Sequence, residues 1–383
     1  MPPRIAIDVS PLLDLTTGIG YYIANLASRL TGLKPEFQWN FFAVPRRTAK
    51  EINVRIGTEE FKTVIKPWHL PARVTSLLFQ APLRRFLAVE DFLGESDLFH
   101  WTNFLCCSQR TGKKIVTVHD ISFFLFPEYH PWKRRILFNT FFPRSLEQAD
   151  HIIAVSQNTK QDLVRYFHVP PDDITVVPLA ADSTFTPMCR EAAAATLMRY
   201  GINYGQYLLY VGTLEPRKNL KRLLQAYHLF RDSHSECVPM VLAGANGWLN
   251  HSLFDEIDRS PWKSEIKILG YIPKAELPAL YAGAIAFVYP SIYEGFGLPP
   301  LEAISCGTAV ITSNNSSLPE VVGDAALLIE PEASDDIASA MLKIVTDVSL
   351  RGTLRQRGLE RAKIFDWRIT AERTLDVYTK TLG

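Results

Sequence analysis

The sequence predicts two α/β domains in tandem, each built on a doubly wound parallel sheet. Short β-branched runs such as IVTV and HIIAV read as strands buried on both faces. They alternate with longer amphipathic stretches, which is the βαβ rhythm of a parallel sheet. The rhythm stops at a polar stretch around residues 181–190 (AADSTFTPMCR, counted from Ala180), and then starts again. At 383 residues the chain is long for one core and comfortable for two.

In the first half, strands are expected at 4–9, 39–44, 61–65, 98–101, 114–119, 151–156 and 174–177. Helices are expected there at 20–31, 74–93, 132–149 and 159–167. In the second half, strands at 207–211, 239–243, 266–269, 284–289, 309–312 and 326–329 are expected. Helices at 219–232, 274–282, 299–305, 318–322 and 334–346 go with them. The domains are then 1–184 and 185–365, with a last helix, about 366–383, packing back on the first. Open parallel sheets bind ligands outside the carboxyl ends of their strands. The active site is therefore expected in a cleft between the domains, on residues that follow strands.

Composition excludes several classes. A charged fraction of 21% and a hydrophobic fraction of 47% exclude a disordered chain. The net charge of +1 gives no argument for nucleic acid. The charge is uneven, net +4 over 1–190 and net −3 beyond. The five cysteines are odd in number, without CxxC or zinc-like spacing, as expected of reduced thiols. The start (RIAIDVS) has no signal-peptide character, and no apolar run reaches the roughly 18 residues of a membrane span. A cytoplasmic protein is expected.

The most informative stretch is PSIYEGFGLPPLEAISCG, residues 290–307. A strand ends, and a turn carries Glu294, Gly295 and Gly297. Pro299 and Pro300 then suit a first helical turn. The turn glycines let backbone approach a ligand, and the helix N-terminus at Leu298 is a seat for phosphate. Glu294 and Glu302 flank that seat. Carboxylates make poor phosphate ligands but good acceptors for sugar and ribose hydroxyls. The plain alternative is a tight turn with a Glu favoured by the helix dipole.

Three further stretches follow strands. VGTLEPRKN places Arg217 and Lys218 together. Unpaired cations in a cleft suit a diphosphate, while a solvated turn pair is the alternative. VTVHD places His119 and Asp120 after a buried strand. His119 has the chemistry to donate a hydrogen bond to a sugar hydroxyl, or to be a satisfied structural His. TTGIGYY places Gly18 and Gly20 ahead of a helix but lacks the third glycine of a dinucleotide fingerprint.

Glu, seven residues, Glu, enclosing GFGLPPL, resembles the signature of family 4 of the retaining glycosyltransferases. TGIGYY, VTVHD, IIAVSQNT, VGTLEPRKN, SSLPEVVGDAA and a last helix opening on FDW extend the resemblance along nearly the whole chain. It implies the GT-B fold, two Rossmann-like domains facing each other across a cleft. It gives Glu294 to the donor sugar and Glu302 to the donor ribose. It gives Arg217, Lys218, Gly18, Gly20, Gly297 and Leu298 to the donor, sets His119 against the donor sugar near the reacting carbon, and has Asp120 orient the loop or touch the acceptor. One departure stands out: Thr213 occupies the place of an arginine common in the family, a place that Arg217 is expected to cover.

The resemblance extends to mannosyltransferase-type members that build O-antigen and other bacterial surface polysaccharides. A GDP-sugar donor is therefore expected, GDP-mannose or a GDP-linked deoxyhexose, with UDP-sugars next. The acceptor is expected to be a glycan or lipid-linked glycan, with retention of configuration and no metal or other cofactor. The segment from Trp132 to Arg144 (WKRRILFNTFFPR) is a possible contact with the inner membrane face, or a helix that simply buries its aromatics. Asn103, Ser156 and Glu320 are weaker candidates, with a capping role first for Glu320. The rival readings are an epimerase or phosphorylase on the same fold, or a non-catalytic subunit that binds sugar nucleotides.

Overall fold

A computed structural model of the chain describes residues 1–14, 18–43, 88–248 and 251–383. It divides into two compact units. Unit 1 is Met1–Leu125, Trp132–Leu179 and Asp366–Gly383; unit 2 is Phe126–Pro131 and Ala180–Phe365. The last helix thus belongs to unit 1, and a six-residue strap from the first half belongs to unit 2.

Unit 1 contains strands β1 (Arg4–Asp8), β2 (Gln38–Phe42), β3 (Leu98–Trp101), β4 (Lys113–Val118), β5 (His151–Ala154) and β6 (Ile174–Val176). Their order is β2-β1-β3-β4-β5-β6, with every pairing parallel. The apolar runs form strands because both faces are covered: β3 and β5 are buried along their whole length. Against one face pack Phe104, Phe123, Phe138 and Phe142, with Phe123 and Phe138 stacked at 4.5 Å. The expected strand 61–65, and the expected helix 74–93 up to residue 87, lie outside the described residues; of the rest, Glu90–Leu93 is helical.

Unit 2 contains β7 (Leu208–Val211), β8 (Met240–Ala243), β9 (Ile266–Gly270), β10 (Ala286–Tyr289), β11 (Ala309–Ser313) and β12 (Ala326–Ile329). The order β12-β11-β10-β7-β8-β9 is again parallel throughout. The chain builds outward from β7 through β8 to β9, then returns to the other side of β7 with β10. The switch point lies between β7 and β10, where doubly wound sheets bind ligands.

Among the described residues, the helices Arg190–Arg199, His251–Arg259 and Val348–Ala362 and the short helix Ser122–Leu125 were not expected. Arg190–Arg199 and Val348–Ala362 bury little: Ala193 and Leu197 in one, Leu354 and Gly358 in the other. Propensity holds such helices with hardly any apolar stripe to reveal them.

Candidate functional site

The switch point of unit 2 assembles the strongest site. The loop after β7 tightens into a 3-10 turn, Pro216–Lys218, closed by Asn219 at φ 61°. The loop after β10 runs beside it because β10 and β7 are neighbours. The Ile292 amide donates to the Arg217 carbonyl at 2.9 Å and stitches the two loops together.

Glu294 is the hub. Its Oε1 accepts from Lys218 Nζ (2.6 Å), the Tyr289 hydroxyl (3.0 Å) and the Ser291 hydroxyl (2.5 Å). Its Oε2 lies 3.0 Å from Arg217 Nη1. Arg217 also donates to the Tyr293 carbonyl and pairs with Glu215 at 2.8 Å. These four charged side chains are only 5–13% exposed. Burial by itself would raise the Glu294 pKa, but Arg217 and Lys218 outweigh it and bring it down to about 2. Burial and the neighbouring Arg217 lower the Lys218 pKa, opposed by Glu294 and Glu215.

The expectation of unpaired cations is thereby corrected: Arg217 and Lys218 are ion-paired with buried carboxylates. Two isolated cations at this depth would carry a desolvation penalty of several kcal/mol each. Glu215 and Glu294 offset part of it, and the Lys218 pKa stays below that of a solvated lysine. Glu215, Tyr289 and Ser291 were missed by sequence reasoning. Only the two-residue spacing of Glu215 from Arg217 hinted at the first.

Gly297 sits at φ 117°, and a Cβ there would meet Leu318 Cδ2 at 3.0 Å. It opens the helix Leu298–Ser305. Pro299 and Pro300 carry no N–H, and the Leu301 amide bonds the Gly297 carbonyl. The helix end therefore offers the Leu298 amide, not the row of free donors expected.

Glu302 has a separate set of partners. Its Oε2 accepts from the Tyr281 hydroxyl at 3.0 Å. Burial raises its pKa to about 7, opposed by Tyr281 and Lys274. Lys274 itself pairs with Asp182 at 2.7 Å. This polar group, Tyr281, Lys274 and Asp182, was also missed.

In unit 1, His119 follows β4 and is 8% exposed. Its Nε2 lies 2.9 Å from the Thr102 carbonyl, which can only accept, so Nε2 carries the proton. Burial brings its pKa down to about 4. His119 is thus neutral at pH 7, with its one N–H spent. It offers Nδ1 as an acceptor, which corrects the expectation of a donor. Asp120 Oδ1 accepts from the Ser122 amide and hydroxyl, at 2.8 and 2.7 Å, and caps the turn Ser122–Leu125. Gly18 and Gly20 lie inside the first turn of the helix Gly18–Leu33, not ahead of it. Ser156 caps the helix Gln157–Phe167 through the Thr159 amide. The Oδ1 atom of Asn103 is buried without a hydrogen-bond partner. The hydroxyl of Ser317, N-cap of the helix holding Glu320, donates to the Glu294 and Phe296 carbonyls instead of capping.

The helix Trp132–Glu147 buries Phe138 and Phe142 but leaves Trp132 and Ile136 63% and 59% exposed, beside exposed Lys133 and Arg134. Among the described residues no helix is long and apolar enough to cross a membrane, and no group of three metal-ligating side chains occurs.

Two family models match the chain: Glycosyltransferase Family 4 over residues 16–185 and Glycosyl transferases group 1 over residues 202–361. The chain is 35% identical over 382 residues to the O-antigen chain mannosyltransferase B of Escherichia coli, covering 98% of this chain and 99% of that one. It is 32% identical over 243 residues to the serotype-specific mannosyltransferase WbdA of Escherichia coli, covering 62% of this chain and 29% of the relative. Among solved structures, sucrose-phosphate synthase from Thermosynechococcus elongatus superposes with a TM-score of 0.77 at 21% identity, over 99% of this chain and 98% of that one.

Proposed function

The chain belongs to family 4 of the glycosyltransferases and is a hexosyltransferase of the GT-B fold; from that premise we propose that it transfers mannose from a GDP-linked donor to a glycan of a bacterial surface polysaccharide. Its similarity along the full length of an O-antigen mannosyltransferase supports the sugar and the product class. The observation that carries the site is the buried Glu294–Arg217–Lys218 hub at the switch point of unit 2.

In this reading the donor diphosphate draws Arg217 and Lys218 toward it. Arg217 offers a fork and Lys218 a point charge, both preorganised by Glu215 and Glu294. The Leu298 amide adds one donor, and Gly297 keeps backbone close. Glu294, ionised at any physiological pH, accepts from a sugar hydroxyl. Glu302 accepts from the ribose, and in unit 1 His119 offers a neutral acceptor for a substrate hydroxyl. As the sugar–phosphate bond breaks, negative charge grows on the leaving diphosphate, and the two cations stabilise it without a metal. The acceptor hydroxyl attacks on the departing face as the sugar–phosphate bond breaks and passes its proton to the leaving diphosphate oxygen, giving retention. Asp120 holds the turn after His119. The acceptor is a lipid-linked glycan, reached at a membrane surface through Trp132, Ile136, Lys133 and Arg134.

The test is a donor panel read by release of nucleoside diphosphate with and without acceptor. GDP-mannose should turn over fastest, and only with acceptor present. Faster turnover of a UDP-sugar would overturn the base assignment. Donor binding without turnover across a broad acceptor panel would overturn the catalytic role of the hub.

A further inference from the structure

We propose that a cavity in unit 2, beside the donor hub, is a second saccharide site that holds a hexose of the glycan other than the reacting one. This rests on the glycan-transfer reading above. The cavity, about 370 Å³, lies at the start of the helix Leu220–Ser233. That volume falls at the lower end of the range of about 300–1,000 Å³ for small-ligand sites.

Its lining has the chemistry of a sugar site. Leu214, Leu220 and Leu253 supply an apolar floor for the C–H face of a ring. Arg222 supplies a guanidinium for hydroxyls and Tyr129 an aromatic wall; Asn219 Nδ2 is engaged by the Pro331 carbonyl at 2.6 Å and Gln225 Oε1 by the Ser334 hydroxyl at 3.3 Å, which leaves Asn219 Oδ1 and the Gln225 amide nitrogen to a ligand. Tyr129 is held in place. Its ring stacks on Phe126 at 5.8 Å and an interplanar angle of 9°, and its carbonyl accepts from Trp248 Nε1 at 2.6 Å. A rigid aromatic binds with little loss of side-chain entropy.

The charge around the cavity favours a neutral occupant. Lys221 and Arg222 line it, while Glu128 and Glu332 act on the Tyr129 phenol together with Arg222. Cations and carboxylates offset each other, so a hydroxyl-rich ligand fits better than an anion. A separate cleft shares Lys221 with the cavity and is lined by His228, Asp255, Glu256 and Arg259. The cavity also shares a wall with the donor hub, because Glu215 lines it and grips Arg217 at 2.8 Å.

The experiment uses mannotetraose as probe and two variants of the full chain, Tyr129→Ala and Arg222→Ala with Gln225→Ala. Calorimetry without donor should show mannotetraose binding to the unsubstituted protein, weakened about tenfold or more in both variants. With GDP-mannose, kcat/KM for mannotetraose should fall about tenfold, while kcat/KM for methyl α-mannoside stays within about twofold. Binding that is absent, or equal in the variants, would overturn the proposal. So would an equal loss on both acceptors. Inorganic pyrophosphate binding that is lost in the variants, with no mannotetraose binding, would make this an anion site and overturn the saccharide assignment. Calorimetric binding lost in the variants, with GDP-mannose inert as donor, would support this site while sinking the proposed donor.

Discussion

Glu294 does two things at once, and its variants should show both. Glu294→Gln leaves Arg217 and Lys218 with one buried anion, Glu215, between them. Breaking a buried pair in this way costs on the order of 3 kcal/mol, so transfer and melting temperature should both fall. The sign of the pH effect follows from the lowered pKa. The carboxylate stabilises the fold above the ordinary Glu pKa, and that stability is lost as pH falls toward about 2. Acid unfolding curves should therefore be shallower for Glu294→Gln between about pH 4.5 and 2; parallel curves would show that the hub does not hold the fold. Glu302 has the opposite sign. Its pKa is raised to about 7, so its contribution to stability is full at low pH and declines as pH rises through about 7. Ionisation makes it a better ribose acceptor over that same interval. The donor KM should fall as pH rises from 6 to 8, and the trend should vanish in Glu302→Gln. At Gly244 a Cβ would sit 1.9 Å from the Gly212 carbonyl oxygen. No side chain is tolerated there because the ends of β7 and β8 approach so closely.

At the scale of elements, the terminal helix Trp367–Leu382 is wired into the centre of unit 1. The Tyr378 hydroxyl lies 2.6 Å from His100 Nδ1, and His100 Nε2 lies 2.7 Å from the Thr117 hydroxyl. Thr117 in turn lies 3.2 Å from the Tyr22 hydroxyl, on the helix that starts at Gly18. Tyr22 meets His119 edge-on at 5.1 Å. Burial brings the His100 pKa down to about 3, so this chain of hydrogen bonds is neutral at pH 7. Removing one partner strands a buried polar atom. Tyr378→Phe should cost about 1–3 kcal/mol in denaturant unfolding. A change below about 0.5 kcal/mol would show that the helix is held by its apolar contacts alone.

At the scale of the molecule, the first half carries the positive charge and the second the negative. In unit 1 that charge meets exposed Trp132 and Ile136 on one helix. Lys or Arg near an anionic surface contributes about 1 kcal/mol each. Vesicles with anionic lipid should bind the protein and zwitterionic ones should not. Lys133→Glu with Arg134→Glu should abolish binding while transfer to a soluble acceptor persists; binding unaffected by the double substitution would remove this surface. Unit 2 should respond to nucleotide. At about one hundred times its Kd, GDP should add about 2.7 kcal/mol of stability, and UDP or ADP should add less at equal concentration.

Sequence by itself was enough for the two parallel sheets, because strands covered on both faces must be continuously apolar and helices between them must be striped. IVTV, HIIAV and AIAFVY could hardly do anything else. It also placed Glu294, Arg217, Lys218 and Glu302 at strand or helix ends, where ligands of such sheets bind. It did not reveal helices such as Arg190–Arg199, whose small buried face writes no pattern. What only tertiary structure decided was the pairing. Arg217 and Glu294 are 77 residues apart and meet because β10 returns to the flank of β7. Glu215, Ser291 and Tyr289 join them for the same reason. The proton on His119 Nε2 is likewise set by a carbonyl at the end of the neighbouring strand. Burial and partner choice depend on which elements the fold brings side by side, and no local spacing encodes that.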